Sequence, residues 1–105
     1  MNKLLTAGAL CGLVSSTAAF ADEVKVTMAG MTYSPSTISV SVGDTIRFVN
    51  DGSADHNVFV PTAEFAMDLG KQEPGSETVI TVGKAGTFEV ECVFHGHMLT
   101  VVEVK

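Results

Sequence analysis

Short segments in which apolar and polar residues alternate recur from residue 24 onward, and most of them end in turn-forming residues. Residues 38–42 (ISVSV) alternate strictly before Gly43-Asp44, and residues 87–92 (TFEVEC) alternate in the same way. A period of two is typical of strands with one buried face. The segments that predict strands are 24–28, 38–42, 45–50, 57–60, 78–82, 87–92 and 100–105. The pattern therefore predicts an all-β sandwich or barrel. Of these we expect a small Greek-key β-sandwich of about seven or eight strands.

The stretch 62–75 (TAEFAMDLGKQEPG) breaks the alternation. We expect an irregular connection there, with a helical turn around residues 64–69 that ends at Gly70. Elsewhere in the mature chain no 3.6-residue repeat is long enough for a real helix.

The first 21 residues have the composition of a secretion signal. Lys3 precedes an apolar or small segment at 4–14, and Ala19-Phe20-Ala21 matches the small-x-small pattern of a cleavage site. The segment is shorter than the roughly 20 apolar residues that a membrane span needs. We therefore expect a cleaved signal peptide over residues 1–21 and a single domain over residues 22–105.

Charge and cysteine content narrow the functional classes. The chain carries twelve acidic and six basic side chains, a formal net charge of −6. This balance argues against binding to nucleic acid or anionic lipid and is compatible with docking to cationic partners. Cys11 lies in the predicted signal, so Cys92 is the one thiol of the mature chain. In an exported protein such a lone thiol is an intermolecular link, an apolar filler or a metal ligand.

Potential metal ligands are concentrated in residues 92–98 (CVFHGHM), where Cys92, His95 and Met98 recur every third residue. The alternation of the preceding strand places Cys92 on the apolar face, opposite to the two glutamates of that strand. His56 lies beside another apolar segment. One thiolate, two imidazoles and a weak thioether are the donor set of blue-copper electron-transfer sites. The sequence thus predicts a metal site formed by His56, Cys92, His95 and Met98.

Other functions use some of the same residues. A Cys-His₃ zinc site could take His97 in place of Met98, which would leave the methionine unexplained. A thiol nucleophile could pair Cys92 with His95, although a domain this small leaves little room for a substrate cleft. A copper delivery or storage protein could use the same four donors. We expect that the protein is not an enzyme.

The mature chain resembles the cupredoxins, most of all those of the amicyanin, plastocyanin and pseudoazurin group. The matching segments are 31–35 (MTYSP), 42–50 (VGDTIRFVN), 55–58 (DHNV) and 85–90 (AGTFEV), and the two-residue gap between His95 and Met98 matches the short ligand loop of amicyanins. The resemblance implies one copper ion that His56, Cys92, His95 and Met98 bind and that cycles between Cu(I) and Cu(II). It also implies a periplasmic, monomeric one-electron carrier between larger redox proteins, such as a dehydrogenase and a c-type cytochrome.

Five further residues have expected roles. Phe94 stands where many relatives have proline, so its N–H is a potential donor to the Cys92 sulfur. His97 is interpreted as an exposed imidazole, a contact to the partner or a further ligand. We expect Asn57 to connect the two ligand loops by hydrogen bonds, and an apolar rim including Pro61 and Phe65 to surround His95.

Overall fold

The computed structural model describes residues 21–105, which form nine β-strands and one short 3₁₀ turn. The predicted signal peptide lies almost wholly outside the described residues. The strands are β1 (Glu23–Ala29), β2 (Thr32–Ser34), β3 (Thr37–Val40), β4 (Thr45–Asn50), β5 (His56–Val60), β6 (Met67–Gln72), β7 (Glu77–Thr81), β8 (Gly86–Glu91) and β9 (Leu99–Val104), with the 3₁₀ turn at Ala63–Phe65. Within these residues we find no helix that is long and apolar enough to span a bilayer.

The strands form two sheets that pack face to face. One sheet has the order β2-β1-β4-β7 and the other β3-β9-β8-β5-β6. Both sheets are mixed, because β1 pairs in parallel with β4 and β3 pairs in parallel with β9. Alternate side chains of the central strands fill the space between the sheets, among them Val26, Phe48, Val58, Val90 and Val102, each with no exposed surface. The predicted all-β sandwich is confirmed.

The number of strands differs from the prediction of seven or eight. β2 has three residues, too few to show a period of two. β6 lies in the stretch predicted to be irregular, and the helical turn there is shorter and earlier than expected. The register between β5 and β6 shifts after Asn57, and Gly70 within β6 has φ +78°. Because this irregular pairing disturbs the alternation of buried side chains, the sequence of β6 does not show the period of two that predicts a strand.

Several loops gather at one end of the sandwich. β5 and β8 are antiparallel and pair at Phe59 and Glu91, so the start of β5 lies beside the end of β8. The loop before β5 (residues 51–55) and the loop after β8 (residues 92–98) therefore meet. The sequence-predicted donors are on these two loops or next to them.

Candidate metal centre

Cys92 follows the last residue of β8 directly and is 3% exposed. Phe88 and Val90 of that strand are buried, whereas Glu89 is exposed. The alternation thus places the thiol in the interior, as the sequence predicted. A sulfur in this position is shielded from water and from oxidants.

The loop of residues 92–98 is closed by its own backbone. The N–H of His95 donates to the carbonyl of Cys92 at 3.2 Å, and the N–H of Met98 donates to the carbonyl of His95 at 3.1 Å. The N–H of Cys92 donates to the carbonyl of Met98 at 3.3 Å. Two successive turns therefore return the chain to β9 and present Cys92, His95 and Met98 together. Met98 is 2% exposed and belongs to the hydrophobic core.

His56 is the first residue of β5 and has no exposed surface. Its Nδ1 atom lies 4.0 Å from the Sγ atom of Cys92, and the Nδ1 atom of His95 lies 3.5 Å from the same sulfur. The ligand atoms of these three residues all lie within 4.8 Å of one another. Residues separated by 36 positions in sequence are thus brought together.

These distances fit a trigonal metal site. With bonds of about 2.0 Å to nitrogen and about 2.3 Å to sulfur, as for zinc, angles near 120° separate the two atoms by about 3.7 Å. The two observed separations, 3.5 and 4.0 Å, lie on either side of this value. A trigonal His-Cys-His set with a methionine beside it suits copper, since a thioether is a soft ligand that zinc sites rarely use.

The electrostatics of His56 also favour metal binding. Burial, together with the neighbouring charge of His95, lowers the pKa of His56, and the carboxylate of Asp55 opposes this shift. The imidazole therefore stays neutral to lower pH than a free histidine, and the neutral form is the one that binds a metal ion.

Asn57 connects the two loops, as predicted. Its side-chain Oδ1 accepts a hydrogen bond from the N–H of Val93 at 2.7 Å, and its own N–H donates to the Cys92 sulfur at 3.4 Å. Among the hydrogen bonds of residues 21–105, the backbone donor to this sulfur is Asn57 rather than Phe94. The turn after Cys92 is closed instead by the N–H of His95.

Tyr33 supports Asn57 and was not found by the sequence reasoning. Its hydroxyl donates to the carbonyl of Asn57 at 2.6 Å, and the ring is 4% exposed. Burial, followed by the charges of Cys92 and Glu91, raises the pKa of Tyr33. The phenol therefore remains protonated, and a donor, well into the alkaline range. This bond joins the two sheets, so no local sequence pattern reports it.

The surface around the centre is partly apolar. Val93 and Phe94, which directly precede His95 in the sequence, are 63% and 52% exposed. The predicted rim at Phe65 is wrong, because its ring stacks on Phe88 with centroids 4.9 Å apart, near the other end of the sandwich. A cleft of about 520 Å³ borders the loop and is lined by His95, His97, Glu89, Glu91 and Leu99, among others. His97 is exposed and is not one of the clustered ligands of the described residues.

Comparison with known proteins identifies similar chains. A family model described as a cupredoxin-like domain matches residues 4–102. Plastocyanin from Prochlorothrix hollandica is 35% identical over 103 residues, which cover 88% of this chain and 77% of the relative. Among solved structures, the reduced Cu(I) form of a proline-to-glycine mutant of amicyanin at pH 4 has a TM-score of 0.74 and 27% identity, covering 85% of this chain and 86% of amicyanin. A purple cupredoxin from Nitrosopumilus maritimus has a TM-score of 0.70 at 19% identity, covers 78% of this chain and 99% of its own, and supports the fold alone.

Proposed function

Because the chain belongs to the cupredoxin family, with one copper ion as its cofactor, we propose that it is a periplasmic type 1 copper protein that carries single electrons between larger redox proteins. The proposed copper ligands are the Nδ1 atoms of His56 and His95, the Sγ atom of Cys92 and the thioether of Met98. When bound at such a site, copper supplies the one-electron couple between Cu(I) and Cu(II).

The observation that carries this proposal is the placement of the ligand atoms by the protein itself. Two imidazole nitrogens lie 3.5 and 4.0 Å from a buried sulfur. A trigonal set is intermediate between the preferences of Cu(I) and Cu(II). The protein thus holds its donors where neither oxidation state requires a large movement, which favours fast electron transfer.

The other side chains have supporting tasks. Asn57 keeps the two ligand loops at a fixed separation and donates a hydrogen bond to the sulfur. Hydrogen bonding around this sulfur tunes the potential of such sites. His95 is only partly buried, and Val93 and Phe94 beside it are exposed. We therefore place electron entry and exit at this end of the sandwich, where a dehydrogenase or a c-type cytochrome would dock.

The proposal includes export and maturation. Cleavage after Ala21 would leave a single domain from Asp22 to Lys105. In the structure the N–H of Asp22 lies 3.0 Å from Oδ1 of Asp44, so the new α-ammonium group would face a carboxylate. Mass spectrometry of protein isolated from the periplasmic fraction of an expression host tests both the export and the cleavage after Ala21. A chain that retains residues 1–21 would contradict them.

Voltammetry of the copper-loaded protein separates a carrier from a protein that delivers copper. A carrier gives a reversible one-electron couple, and its copper remains bound for hours in the presence of a Cu(I) chelator. Rapid and complete transfer of Cu(I) to the chelator, without a reversible couple, would contradict the proposed function and favour delivery or storage.

A further inference from the structure

The loop that leads to His56 is polar. Residues 51–55 (DGSAD) contribute no side chain to the hydrophobic core, yet the next residue is fully buried. The Nε2 atom of His56 is also buried and has no hydrogen-bond partner within residues 21–105. In most metal sites the second ring nitrogen of a histidine is held by such a partner. The position of this ring therefore depends on the backbone at either side of it.

Asn50 holds the backbone on the side before His56. Its Oδ1 accepts a hydrogen bond from the N–H of Gly52 at 3.0 Å, and its Nδ2 donates to the carbonyl of Ala54 at 2.9 Å. The same Nδ2 donates to the carbonyl of Gln72 at 2.8 Å. Both N–H donors of the amide are thus used, and two of the three bonds fix the loop.

The third bond ties the loop to the strand next to His56. Gln72 is the register partner of His56 in the pairing of β5 with β6. The side chain of Gln72 is itself held, because its Oε1 accepts a hydrogen bond from the hydroxyl of Thr78 at 2.7 Å. The backbone of Asn50 is bonded to the neighbouring connection, through its N–H to Ser76 and its carbonyl to Gly75.

This support differs from that of the other donors. Cys92, His95 and Met98 share a loop that is closed by its own backbone hydrogen bonds. His56 has Asn57 on one side and the loop held by Asn50 on the other. Asn50 is 1% exposed, so water cannot reach its side chain to replace these hydrogen bonds.

We propose that Asn50 is a positioning residue that sets the location of His56 for copper before the metal binds. The proposal rests on the proposed function, because it assumes that His56 is a copper ligand. A substitution of Asn50 should therefore change copper affinity and the copper spectrum, whereas a substitution of a residue important only for folding should change stability alone.

Asn50→Asp tests the proposal with almost no change in volume. The aspartate keeps an acceptor for Gly52, but an oxygen replaces the donor that faces the carbonyls of Ala54 and Gln72. We expect Cu(I) affinity, measured by competition with a chromophoric chelator, to fall about 10- to 100-fold, as for other groups that orient metal ligands. We also expect a changed intensity ratio of the two thiolate-to-copper(II) bands and shifted His56 resonances in the NMR spectrum of the copper-free protein.

Thr100→Val is the matched control. Thr100 is fully buried, and its hydroxyl donates to the carbonyl of Pro35 at 2.8 Å rather than to the loop of residues 51–55. Thr100→Val should have a lower melting temperature than the wild type, with the same Cu(I) affinity and the same spectrum.

An Asn50→Asp variant with a lowered melting temperature, wild-type Cu(I) affinity and a wild-type spectrum would overturn the proposal. If this variant does not fold, Asn50→Ser, which retains an acceptor for Gly52 but lacks the amide donor, is measured against the same criteria. The wild type, measured in the same titration, tests the proposed copper function separately from the positioning role of Asn50. A wild type that binds copper with a blue spectrum upholds the proposed function even where Asn50 has no effect.

Discussion

Tyr33→Phe removes one oxygen atom and, with it, the hydrogen bond that joins the two sheets beside the metal centre. The hydroxyl donates to the carbonyl of Asn57 at 2.6 Å, and both residues are at least 96% buried. Phenylalanine fills almost the same volume, so the carbonyl loses its donor and water cannot enter. Leaving a buried acceptor unpaired costs about 1–3 kcal/mol.

This free energy converts into a measurable change in melting temperature. For a domain of 60–100 residues, 1 kcal/mol corresponds to about 4–8 °C. We therefore expect Tyr33→Phe to lower the melting temperature of the copper-free protein by roughly 5–20 °C. Circular dichroism of the backbone during heating measures this value, and urea denaturation supplies the free energy of unfolding independently.

Thr32→Val is the control for this prediction. The neighbouring hydroxyl donates to the carbonyl of Ala29 at 3.0 Å, but this bond is exposed. Water can replace it, so the free energy of unfolding should change by no more than about 0.5 kcal/mol. If Tyr33→Phe were also within 0.5 kcal/mol of the wild type, the hydrogen bond from Tyr33 to Asn57 would not stabilise the structure beside the centre.

Three further predictions concern pH, packing and the metal. Hydrogen bonds from the backbone N–H groups of Ser41 and, to a lesser extent, Asp22 lower the pKa of Asp44. The ionised carboxylate should therefore stabilise the fold fully above the unfolded-state pKa of about 3.9. This stabilisation should be lost as the pH falls through the lower folded-state pKa. Wild type and Asp44→Asn should therefore differ in melting temperature at pH 7, and the difference should shrink as the pH falls below about 3.9. A difference that stays constant would contradict the assignment. Phe48 is fully buried, so Phe48→Ala should lower the free energy of unfolding, measured by urea denaturation, by about 3–5 kcal/mol. A loss below about 2 kcal/mol would show that the core fills the cavity left by the Phe48 ring. Adding copper should raise the melting temperature of the wild type but not that of Cys92→Ser; an equal increase in both would exclude this sulfur as a ligand.

Much of the fold and the site could be predicted because the relevant patterns are local. The alternation over residues 87–92 fixes the strand and the inward direction of Cys92. The spacing of Cys92, His95 and Met98 reflects two turns of one loop. His56 could be added because the chain has only three histidines.

The features that were missed depend on contacts between distant segments. β6 was missed because its pairing with β5 is irregular and its side chains do not alternate in burial. Tyr33 was missed because its partner lies 24 residues away in the other sheet. The predicted place of Phe65 beside His95 was wrong because the connection that carries it lies at the opposite end of β5.

The optical and EPR spectra of the protein loaded with one equivalent of Cu(II) test the central claim most directly. A buried thiolate within reach of two imidazole nitrogens should give an intense thiolate-to-copper(II) band in the visible region and a narrow hyperfine splitting. A colourless protein, or one that binds zinc tightly and copper only with the wide splitting of a tetragonal site, would contradict the assignment of His56, Cys92, His95 and Met98 as a type 1 copper centre.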